Sequence, residues 1–227
     1  MKHLLLLHGA IGAKDQLEPL ANELKDDFTT HTLNFSGHGG NAIPDVFSIA
    51  TFADDVLRYL SGHKIETVDI FGYSMGGYVA LFLARDFPEK VGRVFTLATK
   101  FEWTPEIAIR ETKMLDAEKI AEQIPAFAKQ LEQRHQPSDW KLVLSKTAGM
   151  MHDLGADNPL KKKDYQAIEH QTLVGIGDKD AMVTLEETIA VYRDLPNANL
   201  VVIPATQHPL EKADLNRLKT EIAKFFA

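Results

Sequence analysis

Apolar positions along the chain gather into short, nearly unbroken runs separated by longer mixed segments. The runs are "HLLLLHG" (3–9), "TTHTLNF" (29–35), "TVDIFGY" (67–73), "VGRVFTLAT" (91–99), "QTLVGIGD" (171–178) and "NLVVIPAT" (199–206). A strand that is apolar at consecutive positions is buried on both faces, the condition of a parallel sheet covered by helices on either side. Helix-length segments at 14–26, 50–61, 75–87, 184–194 and 211–226 separate most of the runs. The alternation predicts the α/β class, with a mostly parallel, doubly wound sheet.

The rhythm breaks once. Residues 100–168 carry no strand-like run but several helix starts, with Thr104-Pro105 and Ser138 as N-cap candidates and Gly155 as a stop. This predicts a helical insertion, so that one domain spans 1–227 with its core in 1–99 and 169–227. No internal repeat or low-complexity tract appears, and "KKKD" (161–164) reads as a solvated turn.

Composition narrows the possibilities further. At 227 residues and 44% hydrophobic content, the chain can bury a sizeable core but has little room beyond one domain. A formal charge of -7, from 25 Lys and Arg against 32 Asp and Glu, argues against nucleic acid as a partner. No apolar stretch approaches the roughly 20 residues that span a bilayer, so no membrane association is expected. The "LLLL" after Lys2 and His3 is too short for a signal segment, and the chain reads as cytoplasmic. The absence of cysteine excludes disulfides, thiolate nucleophiles and Cys-ligated zinc, and leaves Ser, Thr, Asp, Glu, Lys, His or Tyr as any covalent nucleophile.

Candidate chemistry begins at "GYSMG" (72–76), a G-x-S-x-G that follows a buried strand and opens a helix. That context suits a sharp strand-to-helix turn that lifts the Ser74 hydroxyl above the carboxyl edge of a sheet, beside a helix N-terminus that favours negative charge. Gly72 and Gly76 keep side chains out of the turn, and the N–H of Met75 is placed to meet an oxyanion. A serine hydroxyl needs a base, and the base needs a carboxylate to hold its tautomer. Both are sought at later strand ends, where doubly wound sheets gather their sites. His208 lies in "TQHPLEK" (206–212), while "GDKDAMVT" (177–184) offers Asp178 and Asp180. Asp180 is the favoured acid. His8 and His38, beside glycines, are expected to brace the loops that frame the site. No His, Asp or Glu spacing suggests a metal, and "HGAIGAKD" lacks the dinucleotide-binding G-x-G-x-x-G, so neither metal nor cofactor is expected.

Together these motifs resemble the α/β-hydrolase superfamily, in its small, cap-bearing members, over essentially the whole chain. "LLLLHGAIG" (4–12) looks like the family's HG-x-x-G oxyanion loop, and "NFSGHGGN" (34–41) like its P-G-H-G turn. "GYSMGG" (72–77), "GDKDAMVT" and "QHP" match the three triad positions. The resemblance implies Ser74 as nucleophile, His208 as base and Asp180 as acid, with the backbone N–H groups of Met75 and Ala10 as the oxyanion hole. Two departures are Ser36, where the family often has proline, and Gln207, where it often has glycine. The resemblance also implies an α/β-hydrolase fold with a helical cap inserted after the sixth family strand.

The insertion leaves the sheet beside the strand that carries Ser74, and is therefore expected to lie across the site. Most of Phe101, Trp103, Met114, Phe127, Trp140, Met150 and Met151 are expected to fix it to the core. The expected pocket residues are Ile11, Trp103, Met150, Met151 and Met182. The implied function is a serine hydrolase acting on a small carboxylic ester or related acyl substrate through an acyl-enzyme. The alternatives are a lyase or synthase using the same triad for proton abstraction, as in the menaquinone pathway, and a ligand receptor with vestigial hydrolysis. A synthase would need cations for substrate carboxylates, for which Arg110, Lys113, Arg134, Lys141 and Lys146 are candidates.

Overall fold

The computed structural model describes residues 1–227. Strands β1 (Lys2–Leu7), β2 (Phe28–Thr32), β3 (Val68–Tyr73), β4 (Val91–Leu97), β5 (Thr172–Gly177) and β6 (Ala198–Ile203) form one sheet in the order β2-β1-β3-β4-β5-β6. Each falls on one of the six apolar runs, and every pairing is parallel. Helices α1 (Glu18–Leu24), α2 (Ile49–Gly62) and α3 (Met75–Asp86) connect the first four strands. Between β4 and β5 come α4 (Pro105–Thr112), α5 (Ala117–Gln123), α6 (Pro125–His135), α7 (Trp140–Ala156) and α8 (Lys162–Gln166). Helix α9 (Leu185–Asp194) joins β5 to β6, and α10 (Leu215–Phe226) ends the chain.

The two-residue period of a strand explains how continuous apolar runs build two cores. Leu5, Leu7, Ile70, Val94 and Val174 face one side, where they pack with Phe52 and Val56 of α2 and Val79 and Leu83 of α3. Leu4, Leu6, Phe71, Phe95 and Leu173 face the other, against Leu20 and Leu24 of α1 and Leu218 and Ile222 of α10. All strands run the same way, so the loops after β1, β3, β5 and β6 leave from one edge. Leu7 of β1 sits opposite Gly72 of β3, which sits opposite Thr96 of β4, so these strand ends are level. No helix is long and apolar enough to cross a membrane.

Thr104 caps α4 by accepting the Ile107 N–H, but three local expectations are corrected. Asp139, not Ser138, caps α7 by accepting the Lys141 N–H; the Ser138 hydroxyl donates instead to the Asn41 carbonyl. Gly155 does not stop α7, which runs on to Ala156. Its bareness serves helix packing, because a Cβ there would lie 2.8 Å from both the Ala108 Cβ and the Thr104 carbonyl oxygen. Residues 162–166 form a short helix where a turn was expected, started by Asp164 accepting the Lys161 N–H.

Candidate active site

Ser74 ends β3 and opens α3 with φ 51° and ψ −118°, a conformation that costs an L-residue on the order of 1–3 kcal/mol. Its surroundings over-determine it. The Ser74 N–H donates to Leu97 O at 2.8 Å, while Ser74 O accepts from the Thr99 hydroxyl and the Gly77 N–H, each at 3.0 Å. The turn also needs bare neighbours. A Cβ on Gly72 would sit 2.4 Å from Gly76 O, and one on Gly76 would sit 2.4 Å from Leu7 O. Both clashes are with backbone, which cannot swing aside.

The loops after β5 and β6 bring the expected partners to this serine. Ser74 Oγ lies 3.4 Å from His208 Nε2, and His208 Nδ1 lies 2.8 Å from Asp180 Oδ2. The Asp180 side chain is only 1% exposed. Burial raises its pKa, but the His208 hydrogen bond and the N–H groups of Val183 and Met182 outweigh that and hold it below the usual carboxylate range. Those two amides donate to Asp180 Oδ1 at 2.9 and 2.8 Å, fixing the carboxylate before it meets the imidazole. Asp178 is not part of this arrangement; its carboxylate accepts the Thr206 N–H at 3.3 Å and so ties the two loops together.

The N–H groups of Met75, the first residue of α3, and of Ala10 donate to no protein acceptor, and both residues line the cavity that holds Ser74 and His208. At the start of a helix, such an N–H carries partial positive charge. Ser36 uses its N–H and hydroxyl on the Asp55 carboxylate, at 2.6 and 2.7 Å; a proline there would lack the N–H. Gln207 is exposed and accepts from Lys212 Nζ at 2.9 Å.

His8 and His38 are both buried. His8 donates from Nδ1 to Gly9 O at 2.8 Å and accepts the Phe35 N–H on Nε2 at 3.2 Å, so the neutral ring is fully used. Burial pushes its pKa down to about 4. His38 donates from Nδ1 to Ser36 O at 3.1 Å, and burial holds it well below the usual histidine range.

The cavity measures about 540 Å³. Ile11, Trp103, Met150, Met151 and Met182 all line it, together with Met75, Met114 and Phe127. Five of the seven large apolar residues expected mainly to fix the insertion to the core thus border the cavity, while Phe101 and Trp140 pack in cores. The apolar face of the insertion thus serves two ends: Phe101, Val143, Met150 and Leu154 pack with the helices on one face of the sheet, while Trp103, Met114, Phe127, Met150 and Met151 border the cavity.

Two elements were not anticipated from sequence. The Tyr73 hydroxyl donates to His208 O at 2.9 Å, anchoring the backbone of the histidine loop to β3. Glu187 accepts from the Phe101 N–H at 3.0 Å and from Lys100 Nζ at 3.1 Å, joining the start of the insertion to α9. Glu187 also closes a capping box with Thr184 at the start of α9, so one carboxylate serves both the helix end and the long-range contact.

Comparison with known proteins agrees with this fold. The sequence model of the alpha/beta hydrolase fold family matches residues 2–146. The pimeloyl-(acyl-carrier protein) methyl ester esterase of Neisseria meningitidis is 27% identical over 229 residues, covering 92% of this chain and 87% of that protein. The 2-(acetamidomethylene)succinate hydrolase of Mesorhizobium japonicum is 26% identical over 235 residues, covering 90% and 81%. Three other relatives align over only 90 to 93 residues, at most 40% of this chain and 34% of their own length. A thermophilic esterase from Thermogutta terrifontis shares the fold, with a TM-score of 0.82 at 22% identity, covering 100% of this chain and 89% of that one.

Proposed function

The chain belongs to the α/β-hydrolase family, and on that premise we propose that it is a serine hydrolase cleaving a small carboxylic ester or related acyl substrate through an acyl-enzyme on Ser74. The observation that carries this reading is the chain of contacts from Ser74 Oγ to His208 Nε2 at 3.4 Å and from His208 Nδ1 to Asp180 at 2.8 Å. The first contact is long for a hydrogen bond, as is common before substrate tightens such a site.

In this mechanism His208 Nε2 takes the Ser74 hydroxyl proton as Oγ attacks the acyl carbon. The oxyanion of the tetrahedral intermediate accepts from the N–H groups of Ala10 and Met75. The imidazolium, stabilised by Asp180, then gives its proton to the departing alkoxide, leaving the acyl group on Ser74. Water, deprotonated by the same imidazole, repeats the sequence and releases the acid. The insertion serves as a cap, and its apolar cavity takes the acyl group.

The lyase or synthase reading is weaker, because it needs free cations for substrate carboxylates. Of Arg110, Lys113, Arg134, Lys141 and Lys146, only Arg134 borders the cavity, and it is paired with Asp15 at 3.1 Å and Glu211 at 3.7 Å. Of the other cations at the cavity, Lys100 is paired with Glu187, so only the exposed Lys212, which donates to the neutral Gln207, keeps an uncompensated charge. The esterase and hydrolase among the relatives support the same choice.

The test is a series of p-nitrophenyl esters of graded acyl length. A cavity of about 540 Å³ accommodates a short to medium chain, so acetate and butyrate should turn over faster than palmitate, without activation by emulsified lipid. Faster turnover of palmitate, or no hydrolysis of any ester by folded protein, would overturn the reading.

A further inference from the structure

His135, the last residue of α6, is fully buried although it belongs to the helical insertion and not to the sheet. Its ring reaches out of the insertion to two loops of the core. Nε2 donates to Ile11 O at 3.0 Å, and Nδ1 accepts the Gly39 N–H at 3.1 Å. These two bonds define one neutral tautomer and use both ring nitrogens. No other protein donor reaches Ile11 O.

Ile11 is the residue after Ala10, and it is held in the left-handed region at φ 52°. That conformation is unfavourable for a β-branched side chain, so the peptide needs an outside hold to keep it. The only bond within the loop that could help is Gly12 N–H to Gly9 O, long at 3.2 Å. The residues around His135 seat the same seam. Arg134 Nε donates to Asp15 at 3.1 Å, the Ser138 hydroxyl donates to Asn41 O at 3.1 Å, and a Cβ on Gly40 would lie 2.6 Å from Gln136 O.

We propose that His135 is a positioning residue for the oxyanion loop, holding the Ile11 peptide, and with it the N–H of Ala10, from the helical insertion. The proposal rests on the reading that the Ala10 N–H receives the oxyanion. An oxyanion donor works by being fixed before charge develops, and a displacement of about 1 Å is enough to cost on the order of 100-fold in rate. In this protein the fixing group comes from the segment that also encloses the substrate, so acyl binding against the insertion and oxyanion stabilisation share one support.

The experiment compares His135→Ala, His135→Gln and His135→Asn, using p-nitrophenyl butyrate turnover and amide hydrogen exchange across residues 9–12. A glutamine amide can replace the Nε2–H donor to Ile11 O, whereas asparagine mimics only the Nδ1 acceptor side. His135→Ala and His135→Asn should lower kcat on the order of 10- to 100-fold with KM changed less than about threefold. Both should also speed exchange at Gly12 while leaving α10 protected. His135→Gln should recover most of kcat and the slow exchange.

Wild-type kcat in His135→Ala, equal losses in the Ala and Gln variants, or exchange raised uniformly through the protein would overturn the proposal. Failure of the wild type to hydrolyse any ester would instead contradict the hydrolase reading. In that event exchange at Gly12 still decides whether His135 holds the loop.

Discussion

Lowering the pH from 7.5 to 5 should destabilise this protein by at least about 2 kcal/mol, and His8 alone is sufficient for that loss. His8 is fully buried, and burial penalises the charged ring, so its pKa falls from 6.5 to about 4 in the folded state. The unfolded chain then binds more protons than the folded one throughout that window, so stability is full above about pH 6.5 and declines as the pH falls towards 4. Integrating the two titrations gives about 2 kcal/mol lost at pH 5 and about 3 at pH 4 for one such group. Burial lowers His38 and His135 in the same direction, so their contributions add to the slope. With an m-value of about 2 kcal/mol per molar, the urea midpoint should drop by roughly 1 M or more between pH 7.5 and 5. His8→Gln, which cannot titrate, should be less stable at pH 7.5 but show a shallower pH slope. A flat midpoint across this range, or an unchanged slope in His8→Gln, would refute the argument that burial holds His8 neutral.

Asp180→Asn should leave a folded protein whose kcat falls on the order of 10⁴-fold, because an amide cannot hold the imidazole in the required tautomer. Asp178→Asn, whose carboxylate meets only the Thr206 amide and Lys179, should stay within a few-fold of wild type when the two are assayed side by side on p-nitrophenyl butyrate. Met151→Ala should shift the optimum of the ester series to longer acyl chains with little change in thermal stability, because Met151 is half-buried at the cavity wall. Met150→Ala should lower the unfolding free energy by about 2–5 kcal/mol in urea titrations, because Met150 also packs in the main core.

Much of the architecture was legible because parallel strands buried on both faces leave continuous apolar runs, and all six runs became strands. The residues of the candidate site were legible for a related reason. Ser74, Asp180 and His208 sit at the carboxyl ends of strands, where chain order and sheet order together decide what meets. Asp178 and Asp180 are two residues apart in one turn, and what separates them is how that turn coils: Asp180 accepts two of its own loop's amides before it meets the imidazole. What stayed hidden was long-range. Nothing near His135 in the sequence marks it as a partner of Ile11, 124 residues away, and the same holds for Tyr73 and the carbonyl of His208. Gly155 misled because a glycine near the end of a helical segment signals a stop by local rules, whereas here it makes room for α4.

The central claim is that Ser74 is an activated nucleophile, and its most direct test is covalent labelling with a fluorophosphonate probe followed by peptide mass spectrometry. The account predicts stoichiometric modification at Ser74 alone. It also predicts no labelling and no ester hydrolysis in Ser74→Ala, whose melting profile shows it folded. Modification at a different serine, or a Ser74→Ala protein that still hydrolyses esters at the wild-type rate, would contradict it.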